Sequence, residues 1–175
     1  MSEPITLEEA KNYLKVDTGD DNTLISNLIS TAREMAECFA GQIFLTKSIE
    51  IVYDGAGVTL EIPYRPLQSV TKIETITEAG VKSEVSSALY VVDTSGPFFP
   101  ARISLKSGYT WPVHRGFASF IVTVIAGYGD EATDVPYATR QAILQIISHL
   151  YDNRGATDIP LEARMILQNY RIYRV

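Results

Sequence analysis

Asp134-Val-Pro-Tyr-Ala-Thr-Arg-Gln-Ala-Ile-Leu-Gln-Ile-Ile-Ser-His-Leu-Tyr-Asp-Asn-Arg154 is the stretch that decides the fold. Ala142, Ile143, Ile146, Ile147 and Leu150 recur at helical spacing, with Thr139 one turn earlier on the same side. That period predicts an amphipathic helix. Asp134 offers a side-chain acceptor ahead of the first turn, and Pro136 suits that turn because its missing N–H has no partner to lose. A basic residue, Arg154, followed by Gly155 closes the segment. The apolar stripe needs a cover, and a second long helix near the N-terminus is the expected partner. There Asp20, Asp21 or Asn22 supplies the cap and Gly41 the stop. Leu24, Leu28, Ala32, Met35, Ala36 and Phe39 form its stripe, widened by Ile25 and Ile29. The helical core expected from these patterns is Leu24, Leu28, Met35 and Phe39 against Ile143, Ile146, Ile147 and Leu150.

Outward from this pair, Thr6-Leu-Glu-Glu9 reads as a capping box that starts a short helix ending near Leu14. Beyond Ile43 the pattern changes to short Val-, Ile-, Thr- and Tyr-rich runs broken by turn residues. Leu45–Tyr53 and Val58–Ile62 flank Asp54-Gly-Ala-Gly57, a hairpin signal. Pro63-Tyr-Arg-Pro66 is an extended corner. Ser69–Thr77 turns at Glu78-Ala-Gly80 into Val81–Val85. Tyr90-Val-Val92, Arg102–Leu105 and Phe117–Ala126 supply further strands. A last helix is expected from Asp158 to about Tyr170, with Ala163, Ile166, Leu167 and Tyr170 as its stripe. The fold class is therefore α+β. Residues 1–42 give N-terminal helices of a helical core, 43–129 a β-rich sandwich or barrel-like insertion of six to eight strands, and 130–175 the C-terminal helices that complete the core.

The chain has 175 residues, of which 46% are hydrophobic and 21% charged, the composition of a globular protein. No apolar run approaches the ~20 residues of a membrane helix, so no membrane partner is expected. The acidic opening Met1-Ser-Glu-Pro lacks the basic start and apolar run of a signal peptide. Cys38 is the single cysteine, which rules out an intramolecular disulfide. Net charge is −6, against a protein that grips DNA through its phosphates. The surplus lies in the first 41 residues, where Glu3, Glu8, Glu9, Asp17, Asp20, Asp21, Glu34 and Glu37 outnumber Lys11, Lys15 and Arg33. The C-terminal segment is mildly basic, with Arg164, Arg171 and Arg174 against Asp158 and Glu162.

Chemistry-bearing motifs are few, and no catalytic residue, metal ligand or cofactor is expected. His114 and His149 lack an activating partner at fixed spacing. Cys38 beside a core stripe reads as a small buried hydrophobe. Asp17, Asp20 and Asp21 lack the calcium-loop spacing and are explained by helix capping. Gly127-Tyr-Gly129 and Asp54-Gly-Ala-Gly57 are not phosphate-binding loops. The ten tyrosines read as packing and interface residues.

Several stretches together resemble the head–tail connector (adaptor) family of tailed bacteriophages and prophages. They are Leu7-Glu-Glu-Ala-Lys-Asn-Tyr-Leu-Lys-Val-Asp17 with Asp20-Asp-Asn-Thr-Leu-Ile and the long helix after it; Ile62-Pro-Tyr-Arg-Pro-Leu-Gln-Ser-Val70; Tyr109-Thr-Trp-Pro112; and Val124-Ile-Ala-Gly-Tyr-Gly129, Val135-Pro136 and Leu150-Tyr-Asp-Asn-Arg-Gly155. They run through nearly the whole chain in the family's order. The resemblance implies a structural virion protein and not an enzyme, made in the bacterial host cytoplasm and located at the head–tail junction. It implies a ring, commonly a dodecamer, between the portal protein and the stopper or tail proteins, with viral DNA passing through the lumen without specific binding. It also implies that the C-terminal helix docks on the portal, which in this chain selects Tyr170, Arg171, Tyr173 and Arg174 as contacts. An acidic lumen would let DNA slide, and the N-terminal acids are candidates to line it.

Two other readings compete. One is a tail-completion or stopper protein of the same virion. The other is a small-ligand-binding β-domain, which would need a pocket with convergent polar groups. The charge disfavours a third, a plain DNA-binding protein.

Overall fold

A computed structural model of the chain describes residues 3–55, 57, 59–94 and 100–171. It divides into two compact units: Met1–Leu45 with Tyr128–Val175, and Thr46–Gly127.

The first unit is helical. Helix α1 (Leu7–Leu14) opens on the expected capping box: Thr6 Oγ1 accepts the Glu9 N–H at 3.1 Å and Glu9 Oε2 accepts the Thr6 N–H at 3.0 Å. Helix α2 (Asn22–Ala40) stops at Gly41, whose φ of +68° is cheap for glycine alone. Helices α3 (Tyr137–Asp152) and α4 (Leu161–Gln168) follow in the C-terminal part, and α2 packs against α1, α3 and α4. Ile143, Ile146 and Ile147 are fully buried and Leu150 nearly so, as their spacing requires.

Several expectations for this unit need correction, among them the side-chain cap of α2, since Asp21 stands at its N-cap without a side-chain capping bond. The buried line of α2 is Ile25, Ile29, Ala32, Ala36 and Ala40. Leu28, Met35 and Phe39 pack only at its margin, and Leu24 is 39% exposed. The helix carries two adjacent apolar lines, and the one with alanines at every fourth position lets the isoleucines of α3 approach closest. Residue hydrophobicity favours the other line, because it cannot weigh close approach. Asp134 does not cap α3. It ends a short 3-10 turn, Ala132–Asp134, and its carboxylate accepts the Glu131 N–H at 3.0 Å, leaving Pro136 at the helix start.

The second unit is a β-sandwich. Its strands are β1 (Lys47–Tyr53), β2 (Thr59–Ile62), β3 (Leu67–Ile76), β4 (Lys82–Glu84), β5 (Tyr90–Asp93), β6 (Ala101–Leu105) and β7 (Phe120–Ala126). One antiparallel sheet has the order β1-β7-β3-β4 and the other β2-β6-β5. Ile62 and Ile103 from the smaller sheet meet Ile73, Phe120, Val122 and Val124 from the larger in one core. The Glu78–Gly80 turn joins paired strands as expected. The Asp54–Gly57 turn does not: β1 pairs with β7, and β2 pairs with β6. The turn residues bond elsewhere. Asp54 Oδ1 accepts the Ala118 N–H at 2.7 Å and the Gly55 N–H reaches Ser119 Oγ at 2.8 Å. The chain thus crosses between sheets at this point, and the Tyr53 hydroxyl ties them by donating to the Glu61 carbonyl at 2.6 Å.

Candidate functional site

The C-terminal end was expected to carry the contacts with a partner. Helix α4 buries Ala163 and Leu167 and turns Leu161 (68% exposed) and Met165 (63% exposed) outward, one helical turn apart. The chain then tightens: the Tyr170 N–H reaches the Leu167 carbonyl at 3.0 Å and the Arg171 N–H the Gln168 carbonyl at 3.2 Å. The Arg171 guanidinium lies 5.0 Å from the centroid of the Phe39 ring, a cation–π contact that holds this point to α2. Tyr170 is half-buried. It lies near Tyr128, whose phenol pKa is pushed up by burial and by the Tyr170 side chain against the opposing bond to Gln42. Tyr170 and Arg171 therefore sit together on the helical unit, while Tyr173 and Arg174 fall outside the described residues.

The N-terminal acids divide into two groups. Arg33, with a side chain only 13% exposed, takes Glu3 through Nε at 2.8 Å and Glu37 through Nη1 at 2.8 Å. Its Nη2 lies 3.4 Å from Glu34. Burial would lower the Arg33 pKa, but Glu3 and Glu37 raise it above the ordinary value. The second oxygen of Glu37 accepts the Phe44 N–H at 2.9 Å, fixing the chain as it leaves α2. Glu9 pairs with Arg140, which also donates to the Pro4 carbonyl at 3.0 Å. Burial would raise the Glu9 pKa, but the Thr6 N–H and Arg140 bring it below its usual range. Asp21 accepts the Tyr151 hydroxyl at 2.6 Å, a bond that raises that phenol's pKa. The side chains of Glu8, Asp17 and Asp20 make no hydrogen bond or ion pair among the described residues. Glu8 and Asp17 share an open cleft of about 440 Å³ with Leu7, Lys11, Asn12 and Val16. Half of the acids proposed for a lumen, Glu3, Glu9, Asp21 and Glu37, are thus fasteners within the unit, a role hidden in sequence because Glu3 and Arg33 are thirty residues apart.

Other candidate groups have modest surroundings. His149 Nε2 is 3.3 Å from Asp158 Oδ1 in an exposed pair at the end of α3. His114 Nδ1 is 2.8 Å from the Pro112 carbonyl. Cys38 is exposed and not buried as expected, since it points away from the Ala36 and Ala40 line. Among the described residues no cluster of His, Cys, Asp and Glu is arranged to hold a metal ion, and no helix is long and apolar enough to cross a membrane.

Residues 4–106 match the family described as phage gp6-like head-tail connector protein. No match was found among curated protein sequences. Among solved structures, a chain in the neck of an empty gene transfer agent (GTA) particle computed with C6 symmetry is similar with a TM-score of 0.81. Its identity is 18%, over 98% of this chain and 91% of that chain. A chain in the virion of a native GTA particle gives a TM-score of 0.79 at 18% identity, over 98% and 91%. A chain in the neck of a native GTA particle computed with C12 symmetry gives 0.72 at 17% identity, over 97% and 89%. At such identities the likeness establishes the α+β fold.

Proposed function

We infer the role of this chain from the premise that it belongs to the phage gp6-like head–tail connector family. It is a structural protein of the head–tail junction. We propose that its copies close into a ring, a dodecamer in the virion, that joins the portal protein to the stopper or tail proteins while DNA passes through. The family match, running from α1 into β6, is the observation that carries this reading. The C6 and C12 necks that contain its structural neighbours support a ring. The charge supports a conduit. The helical unit holds fourteen acids against eight basic residues and the β-unit seven against seven, so the chain has no basic surplus to retain phosphate. Portal docking falls to Tyr170, Arg171, Tyr173 and Arg174, and the exposed Leu161 and Met165 of α4 add apolar surface in the same C-terminal segment.

Light-scattering mass in line with size exclusion tests the reading, on the protein alone and mixed with the portal of the same virus. A ring-sized mass, alone or on the portal, is expected. A monomer that ignores the portal would overturn it. A stopper or tail-completion protein would form a ring without binding portal. Deleting residues 172–175 should keep the thermal transition and abolish portal binding; loss of the transition would place the tail in the core instead.

A further inference from the structure

Among the described residues Arg65 is the one charged residue that is buried, at 8% exposure. It lies in the corner at residues 63–66, between β2 and β3, and that corner is fixed. Two prolines restrict its backbone, and Ile62 before it is fully buried. The Gly127 N–H donates to the Pro66 carbonyl at 2.9 Å, and Gln68 Nε2 donates to the Gly127 carbonyl and to Thr46 Oγ1, each at 2.9 Å. The guanidinium on this fixed corner has no acceptor: the Arg65 side chain makes no hydrogen bond or ion pair among the described residues. Other arginines with well-covered side chains are satisfied. Arg33 has Glu3 and Glu37, Arg140 has Glu9 and the Pro4 carbonyl, and Arg115 has the Ala118 carbonyl. Burial lowers the Arg65 pKa, and Glu61 opposes this from outside ion-pair range. A buried cation without a partner is destabilising, so its retention calls for a group that completes it. The geometry of the fork says where that group enters. Nη1 is sealed from solvent, while Nε and Nη2 are not; these two form the edge that takes a carboxylate side-on.

We propose that Arg65 is a carboxylate receptor, filled by an acidic side chain of a second copy of this chain, an assignment that rests on the ring reading above. A ring contact joins two different patches on each chain. The receptor lies on the β-unit, where acids and bases balance at seven each, and the helical unit, with fourteen acids against eight basic residues, supplies the carboxylate. The contact therefore runs from the β-unit of one copy to the helical unit of the next. The planar fork matches a flat carboxylate with two parallel N–H···O bonds. Passing DNA is a poor competitor, because the chain carries a net charge of −6. The fixed corner holds the fork in place before the partner arrives, which lowers the entropy lost on pairing.

Arg65→Met separates a receptor from an internal fastener. It keeps the apolar stem and removes the unpaired charge, so the isolated chain should melt at or above the wild-type temperature. Light scattering, on the chain alone and with portal, should show self-association weakened at least about tenfold. Arg65→Lys should restore the charge but recover only part of the association, because an ammonium lacks the fork. The receptor is also read directly by NMR. The Arg65 Nε–H resonance, assigned by its loss in Arg65→Met, should move on titration with acetate and move less with inorganic phosphate at equal ionic strength. A lowered melting temperature or loss of folding in Arg65→Met would overturn the proposal by showing an internal role. Wild-type assembly by Arg65→Met would overturn it while leaving the ring intact. Weaker portal binding with self-association unchanged would place the carboxylate on the portal and overturn the assigned source. A wild-type chain that is monomeric alone and with portal would remove the ring reading and the second-copy contact together. In that case a resonance that still moves with acetate would retain the receptor alone, and one that does not would remove it too.

Discussion

Replacing Arg33 with alanine should strongly destabilise the helical unit. The guanidinium makes two short charge-assisted bonds, to Glu3 and Glu37, at 2.8 Å each. Its side chain and that of Glu37 are each 13% exposed, and that of Glu3 24%. The third contact, to Glu34 at 3.4 Å, adds little because that carboxylate is 71% exposed. A hydrogen bond to a charged group contributes about 1.5–3 kcal/mol, but the two share one desolvated cation and do not add fully. Truncation also strands two poorly hydrated carboxylates, one of which fixes the Phe44 N–H. The expected loss is about 3 kcal/mol. Arg33→Lys should recover less than half of it, since one ammonium cannot replicate a planar fork. Denaturant titration followed by far-UV ellipticity measures the loss, and a double-mutant cycle with Glu37→Ala isolates the pair. A loss below about 1 kcal/mol, or a coupling below about 0.5 kcal/mol, would refute the claim that these acids act as internal fasteners.

Two further outcomes follow from single contacts. Tyr53 ionises at about 12, pushed up by burial and then by Tyr64 and Glu61, so tyrosinate absorbance should lose a late-titrating component in Tyr53→Phe. Because the folded pKa lies above the ordinary value of 10.0, its stabilising effect is complete below pH ~10 and is lost as pH rises through ~12. Gly129→Ala should cost about 1–3 kcal/mol by thermal unfolding. A Cβ there would lie 2.6 Å from the Asp134 Cβ and would displace the carboxylate that caps the 3-10 turn. An unchanged melting temperature would show that the turn moves aside freely.

The sequence alone determined the local elements. The Thr6–Glu9 capping box, the Gly41 stop, the isoleucine stripe of α3 and the Glu78–Gly80 hairpin could all be read, because each depends on residues within a few positions of one another. The succession of helices, strands and helices, and with it the α+β class, follows from the same periodicities. Family resemblance was legible too, since its motifs are local. Tertiary structure decided which of two apolar lines on α2 is buried, because Ala32, Ala36 and Ala40 gain their value only from the close approach of α3. It sent β1 to β7 and not across its own turn, a choice made by a partner some seventy residues away. It also sorted the acids: Glu3 and Glu37 are consumed by Arg33, while Glu8 and Asp17 are left facing a cleft. Val113 and Phe117, 85% and 75% exposed in the loop before β7, look in sequence like any other apolar residues of a β-rich segment. Their neighbours Arg115, Ala118 and Ser119 are held by long-range bonds to Ile76, Asp54 and Tyr53, which no local pattern encodes.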